Sequence, residues 1–70
     1  MNRRREIAED IRAQYGNALS QRQVGEYLSM SHDTLITFVA DIPFLRQGRK
    51  KTFLAADIAR KIDMMQQTAV

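Results

Sequence analysis

The sequence predicts a mainly α-helical domain that carries one small β-hairpin. Three observations predict it. Apolar residues recur every three or four positions in four separate segments, which is the helical period. A single proline at Pro43 is followed by a stretch, residues 44–53, that holds a glycine and four cations and lacks that period. The whole chain has only 70 residues and no cysteine, so it is expected to form one domain, residues 1–70, held by packing rather than by disulfides.

The first helix is expected over residues 3–15, within an N-terminal segment 1–18. Ile7, Ile11 and Tyr15 form one stripe with Ala8 beside it, and charged residues fill the opposite face. Gly16 stands where a helix C-cap glycine belongs, and Asn17 extends the break. The core domain is expected over residues 19–62. Its first helix, residues 21–28, has a sharp start, because Ser20 and Gln23 have the spacing of a capping box and Leu19 can staple onto Val24. Val24, Tyr27 and Leu28 are its inward residues. Gly25 costs such a helix about 1 kcal/mol relative to alanine, which points to a close approach of another helix.

Ser29-Met30 interrupts the pattern, and Ser31 is a second N-cap. The next helix, about residues 32–40, is expected to bury Leu35, Phe38 and Val39, with Met30 as the staple partner of Leu35 and Ile36 as a minor core residue. It ends near Asp41, because a residue before proline, here Ile42, is pushed towards extended geometry. Phe44-Leu45-Arg46 and Arg49 to Phe53 then read as two strands around Gln47-Gly48. Leu45 and Phe53 are expected to share the face turned to the body, and the cations to line the tip and the solvent face. A last helix over residues 55–66 has the stripe Ile58, Ile62 and Met65, and residues 66–70 are expected to fray.

Charge is unevenly distributed. Arg3, Arg4 and Arg5 form one basic group, and Arg46, Arg49, Lys50 and Lys51 form another, with no acid among residues 44–56. The rest of the chain sets four cations against eight acids, so a slightly acidic body bears two basic patches. Local excess of this kind is what phosphate binding requires. No apolar run approaches a membrane span. The N-terminus has no apolar stretch behind its arginines, so no secretory signal is expected. The absence of cysteine fits a reducing cytoplasm, and a cytoplasmic protein of bacterial, phage or mobile-element origin is expected. His32 is the one histidine, and no nucleophile–base pair, carboxylate pair in a cleft or phosphate-cradling glycine loop is visible. An enzyme, a metal site and a bound cofactor are therefore not expected.

Two short capped helices around a three-residue turn match a helix-turn-helix, in which the first helix braces the second and the second presents its amino-terminal turns to the major groove. A basic hairpin beside them makes a winged helix-turn-helix. The residues carry a further resemblance. From Leu19 to Ile62, 44 of the 70 residues, the chain resembles the excisionase-type, MerR-like winged helix family. The run Leu19 to Leu28 is similar to that family's brace helix, and Met30 to Leu35 to its turn and recognition-helix start. Pro43 to Lys51 is similar to its wing, and Phe53 to Ile58 to the strand and helix that close the fold. The resemblance implies a DNA-binding accessory protein, an excisionase that bends DNA and helps a tyrosine recombinase (an integrase) choose excision. The family also contains small transcriptional regulators. Two positions depart from it. His32 and Asp33 stand where the family often has arginines, and Lys51 where it often has an aromatic, which shifts affinity towards the wing.

The expected partner is double-stranded DNA, with a recombinase and cooperative self-association on DNA as further partners. The candidate DNA contacts are Arg22 on the brace helix; His32, Thr34 and Thr37 on the third helix; and Arg46, Arg49, Lys50 and Lys51 on the wing. Arginine enters narrow minor grooves and lysine acts as a point charge on phosphate. Threonine can reach base edges or a thymine methyl, or can bond its own backbone instead; Ile36, placed in the core above, has contact with a thymine methyl as its alternative. Three readings remain open: an excisionase, a small MerR-like transcriptional regulator, and a helical protein-interaction module with no DNA function. Residues 1–18 can either pack on the domain or form a DNA-contacting arm.

Overall fold

The computed structural model describes residues 3–68, with side chains for residues 3–66. The elements run α1 (Arg3–Tyr15), β1 (Ala18–Ser20), α2 (Gln21–Leu28), α3 (His32–Val39), β2 (Leu45–Gln47), β3 (Lys50–Leu54) and α4 (Ala55–Thr68). The described residues thus form four helices and one three-stranded antiparallel sheet, ordered β1–β3–β2. None of these helices is long and apolar enough to cross a membrane.

Local chemistry explains the boundaries. The Gly16 N–H closes α1 by donating to the Arg12 carbonyl at 2.9 Å. Ser20 caps α2 in a full capping box: its hydroxyl accepts from the Gln23 N–H, and the Gln23 side chain accepts from the Ser20 N–H. Ser29 ends α2 with φ +54°, and the Ser29 and Met30 N–H groups return to the Glu26 and Gly25 carbonyls. This αL residue turns the chain sharply enough for Ser31 to cap α3 three residues after α2 ends, its hydroxyl accepting from the Thr34 N–H.

Strand β1 is not expected from the sequence. Its three residues are too few to show alternation, and they become a strand only by pairing with β3, Leu19 opposite Phe53. The helices enclose the sheet's inner face. Ile11, Leu19, Val24, Phe53 and Ile58 are the largest fully buried side chains, one each from α1, β1, α2, β3 and α4. From α3, Leu35, Phe38 and Val39 join them, followed by Ile42. Burying side chains of this size stabilises the fold by about 1.5–3 kcal/mol each.

Gly25 is buried, and a Cβ built on it would lie 2.9 Å from Leu35 Cδ2. The close approach inferred from its position in α2 is the contact between the two short helices.

Helix α1 packs chiefly on α4. Arg4 Nε donates to Asp63 Oδ2 at 2.8 Å, and Asp63 is itself buried. Arg5 pairs with Glu9. The first basic group therefore lies on a helix docked against the body, and the alternative of a free arm is not observed for residues 3–15. Tyr27 ties α2 to α1: its hydroxyl donates to Asp10 Oδ2 at 2.6 Å and its ring meets Tyr15 edge-on. Partial burial and the adjacent carboxylate raise the Tyr27 phenol to about 12.

Four expectations are corrected. Leu45 is 53% exposed, and Phe44 rather than Leu45 packs beside Phe53. The register explains this, since Leu45 pairs with Thr52 and the residue facing Phe53 is therefore Phe44. Ile36 is 47% exposed rather than part of the core. Met65 is 48% exposed, and the buried face of α4 is Ala55, Ile58, Ala59 and Asp63, with Ile62 half-buried. Helix α4 runs to Thr68, two residues past its expected end at 66; residues 69–70 lie outside the described residues.

Candidate nucleic-acid interface

The hairpin turns on two residues, Gly48 and Arg49, between the paired Gln47 and Lys50. Gly48 has φ +64° and Arg49 does not have positive φ, the pattern of a type II′ turn, whose first central position calls for glycine. This places Arg49 at the tip. The strand alternation then divides the remaining cations. Arg46 and Lys51 face each other across the strands, on the side of the sheet that carries Phe44 and Phe53. Lys50 lies on the opposite side. Not all the cations line the tip and the solvent face, as the sequence had implied: Arg46 and Lys51 belong to the side turned towards α3.

All four are exposed, and none makes an ion pair with a carboxylate among the described residues. Lys51 instead holds its ammonium 4.9 Å from the centre of the Phe44 ring. Several body cations differ in this respect. Arg4 is bonded to Asp63, Arg22 Nε is 3.3 Å from Glu26 Oε1, and Lys61 donates to both oxygens of Asp41 at 2.8 and 2.9 Å. The Lys61 hydrogen bonds hold the Asp41 carboxyl below its ordinary range.

The grooves beside α3 place the other candidates. Gln21, Ile36, Ala40, Phe44 and Lys51 line the groove between α3 and the hairpin. The hairpin thus flanks the carboxyl half of α3 and the start of α2. The amino end of α3 lies against α2, where His32 lines a groove with Gln21, Arg22 and Glu26. Gln21 is common to both grooves and joins them. His32, Ile36 and Ala40 follow one another at four-residue spacing, so they share the flank of α3 nearest the hairpin.

Thr34 and Thr37 lie on the other flank, in a groove with Asp33, Lys61 and Met65. Both hydroxyls bond locally: Thr34 Oγ1 accepts from Ser31 Oγ at 3.0 Å, and Thr37 Oγ1 donates to the Asp33 carbonyl at 3.3 Å. Gln21 thus joins the groove of Arg22 and His32 to the groove of Lys51, with Arg46 across the strand from Lys51, Arg49 at the hairpin tip and Lys50 on its far side. The two threonines line neither groove.

Sequence reasoning did not single out Gln21, Ala40 or Phe44, and for Ile36 it preferred the core to its alternative, an exposed thymine-methyl contact. The signal for Ile36 was present, since Leu35, Phe38 and Val39 already define the buried arc of the helix and Ile36 falls outside its centre. Among the described residues, no group of three or more His, Asp or Glu side chains is placed to hold a metal ion. Compared with family models, with curated proteins and with solved structures, the chain matches none.

Proposed function

We propose that this chain is a winged helix-turn-helix protein that binds duplex DNA, without catalytic role, and takes most of its affinity from the hairpin. The order helix, strand, two capped helices around a tight turn, hairpin, closing helix supports the fold assignment. The observation that carries the function is the hairpin's charge. Four exposed cations without carboxylate partners among the described residues stand on a ribbon that flanks a short exposed helix. Unpaired surface cations can release counterions from a phosphate backbone without first breaking an ion pair.

Arg49→Ala combined with Lys50→Ala is expected to weaken binding on all duplexes alike. It should also lower the slope of log affinity against log salt by about 1–2 units. A mobility-shift series at several salt concentrations measures both, and an unchanged slope would remove the hairpin from the interface.

The resemblance over residues 19–62 supports a narrower role, an accessory protein of the excisionase kind that bends DNA beside a tyrosine recombinase. Circularly permuted duplexes distinguish this role from a small MerR-like regulator, because strong bending marks the architectural function. Exposed Leu45 and Leu54 on the hairpin strands and Met64 and Met65 on α4 are apolar surface that a recombinase or a second copy on DNA could cover. They also support a second reading, a helical protein-interaction module. Absence of any shift at low salt would select that reading.

A further inference from the structure

Ile36 is an apolar, β-branched side chain held half in solvent at the middle of α3. A single exposed apolar residue is ordinary, and its surroundings give this one meaning. Ala40, one turn on, is exposed and short, which leaves room beside it. Phe44 is 44% exposed and lines the same groove, beneath the Lys51 ammonium. Arg46 stands across the strands from Lys51. An apolar strip is thus bordered by cations that have no carboxylate partner among the described residues.

That combination fits a polyanion whose interior is apolar. In the major groove of B-DNA, the apolar feature between the phosphates is the thymine methyl group. The two threonines of α3 are poorly placed to compete for readout, which leaves His32 as the polar side chain on the flank of Ile36. Thr34 and Thr37 use their hydroxyls locally and lie on the flank towards α4, beside the carboxylate of Asp33.

We propose that Ile36 is a specificity-determining residue that contacts thymine methyl groups, so that base selection rests on an apolar contact more than on the α3 hydroxyls. The proposal rests on the duplex-DNA reading above and deepens it.

The test uses duplexes recovered from a randomised pool and resynthesised with deoxyuridine in place of every thymidine, which deletes the methyl and keeps base pairing. The full chain should bind the uracil duplexes about fourfold more weakly for each methyl contacted, the factor that corresponds to burying one such group. Ile36→Ala should bind both forms alike, and Ile36→Val should retain most of the difference. Because Ile36 lies outside the core, both variants should keep the parent circular-dichroism spectrum and melting curve.

Equal affinity of the parent for both forms would overturn the proposal while leaving the DNA reading intact. Failure to bind any duplex at low salt would overturn both. If Ile36→Ala kept the parent's thymine preference but abolished self-association in sedimentation, the strip would be a protein contact, and the proposal would fall.

Discussion

Replacing Gly25 with alanine sets two calculable effects against each other. In a helix interior alanine is favoured over glycine by about 1 kcal/mol, so an unobstructed site would be stabilised by that amount. Here the new Cβ would lie 2.9 Å from Leu35 Cδ2, with the next atoms of Leu35 at 3.8 and 3.9 Å. Carbon atoms rest about 3.5–4.0 Å apart, so the Leu35 methyl must retreat by roughly 0.7 Å to restore an ordinary contact. Leu35 is only 6% exposed and belongs to the core cluster, so its retreat must displace core neighbours or turn the methyl towards the groove it lines with Gly25. Overpacking of this kind costs typically about 1–3 kcal/mol. The net expectation is destabilisation by roughly 1 kcal/mol.

Urea denaturation followed by circular dichroism measures it as a lower midpoint at unchanged slope. A double-mutant cycle isolates the cause. Leu35→Val removes a methylene from the obstructing side chain, so the pair should cost at least about 0.5 kcal/mol less than the sum of the single variants. Stabilisation by Gly25→Ala, or strict additivity in the cycle, would show that the two helices do not meet at this point. The variant also shifts α3 relative to α2, so under the proposed function its affinity for duplex DNA should fall along with stability.

Two further outcomes follow from single residues. Ser29→Gly should stabilise the chain by about 0.5–1 kcal/mol, because Ser29 holds φ +54°, a region that glycine adopts without the side-chain penalty; a lowered urea midpoint would contradict the αL cap. Tyr27, raised to about 12, favours folding while its phenol is protonated. That contribution is complete below the ordinary tyrosine value near 10 and is lost as pH rises through about 12. In Tyr27→Phe, the late step in near-ultraviolet absorbance should vanish from an alkaline titration, and the variant should be less stable at neutral pH by about 1 kcal/mol, the worth of one hydrogen bond.

Much of the helical layout is local chemistry and can be read directly from the chain. The bounds of α1 and α2, the capping box at Ser20, the cap at Ser31 and the buried trio Leu35, Phe38 and Val39 all depend on residues within one or two turns of each other. The hairpin was legible for the same reason, since Gly48 and the cations around it are neighbours in sequence. The readings that failed depend on partners far along the chain. Three residues at Ala18–Ser20 have no strand character until Phe53 and Thr52 lie beside them. The face on which Leu45 lies is decided by a register in which a shift of one residue exchanges inside for outside.

The candidate interface follows the same division. Its residue types and their clustering in sequence were determined by the chain alone: four cations between residues 46 and 51, and a short capped helix ahead of them. Tertiary structure alone decided which of those groups share a surface. It turned Arg46, Lys51 and Ile36 to one side of α3, and Thr34 and Thr37 to the other. The physical reason is that capping and helical period act over a few residues, whereas the rotation of α3 about its own axis is set by how Leu35 and Phe38 pack into a core drawn from every other element but β2.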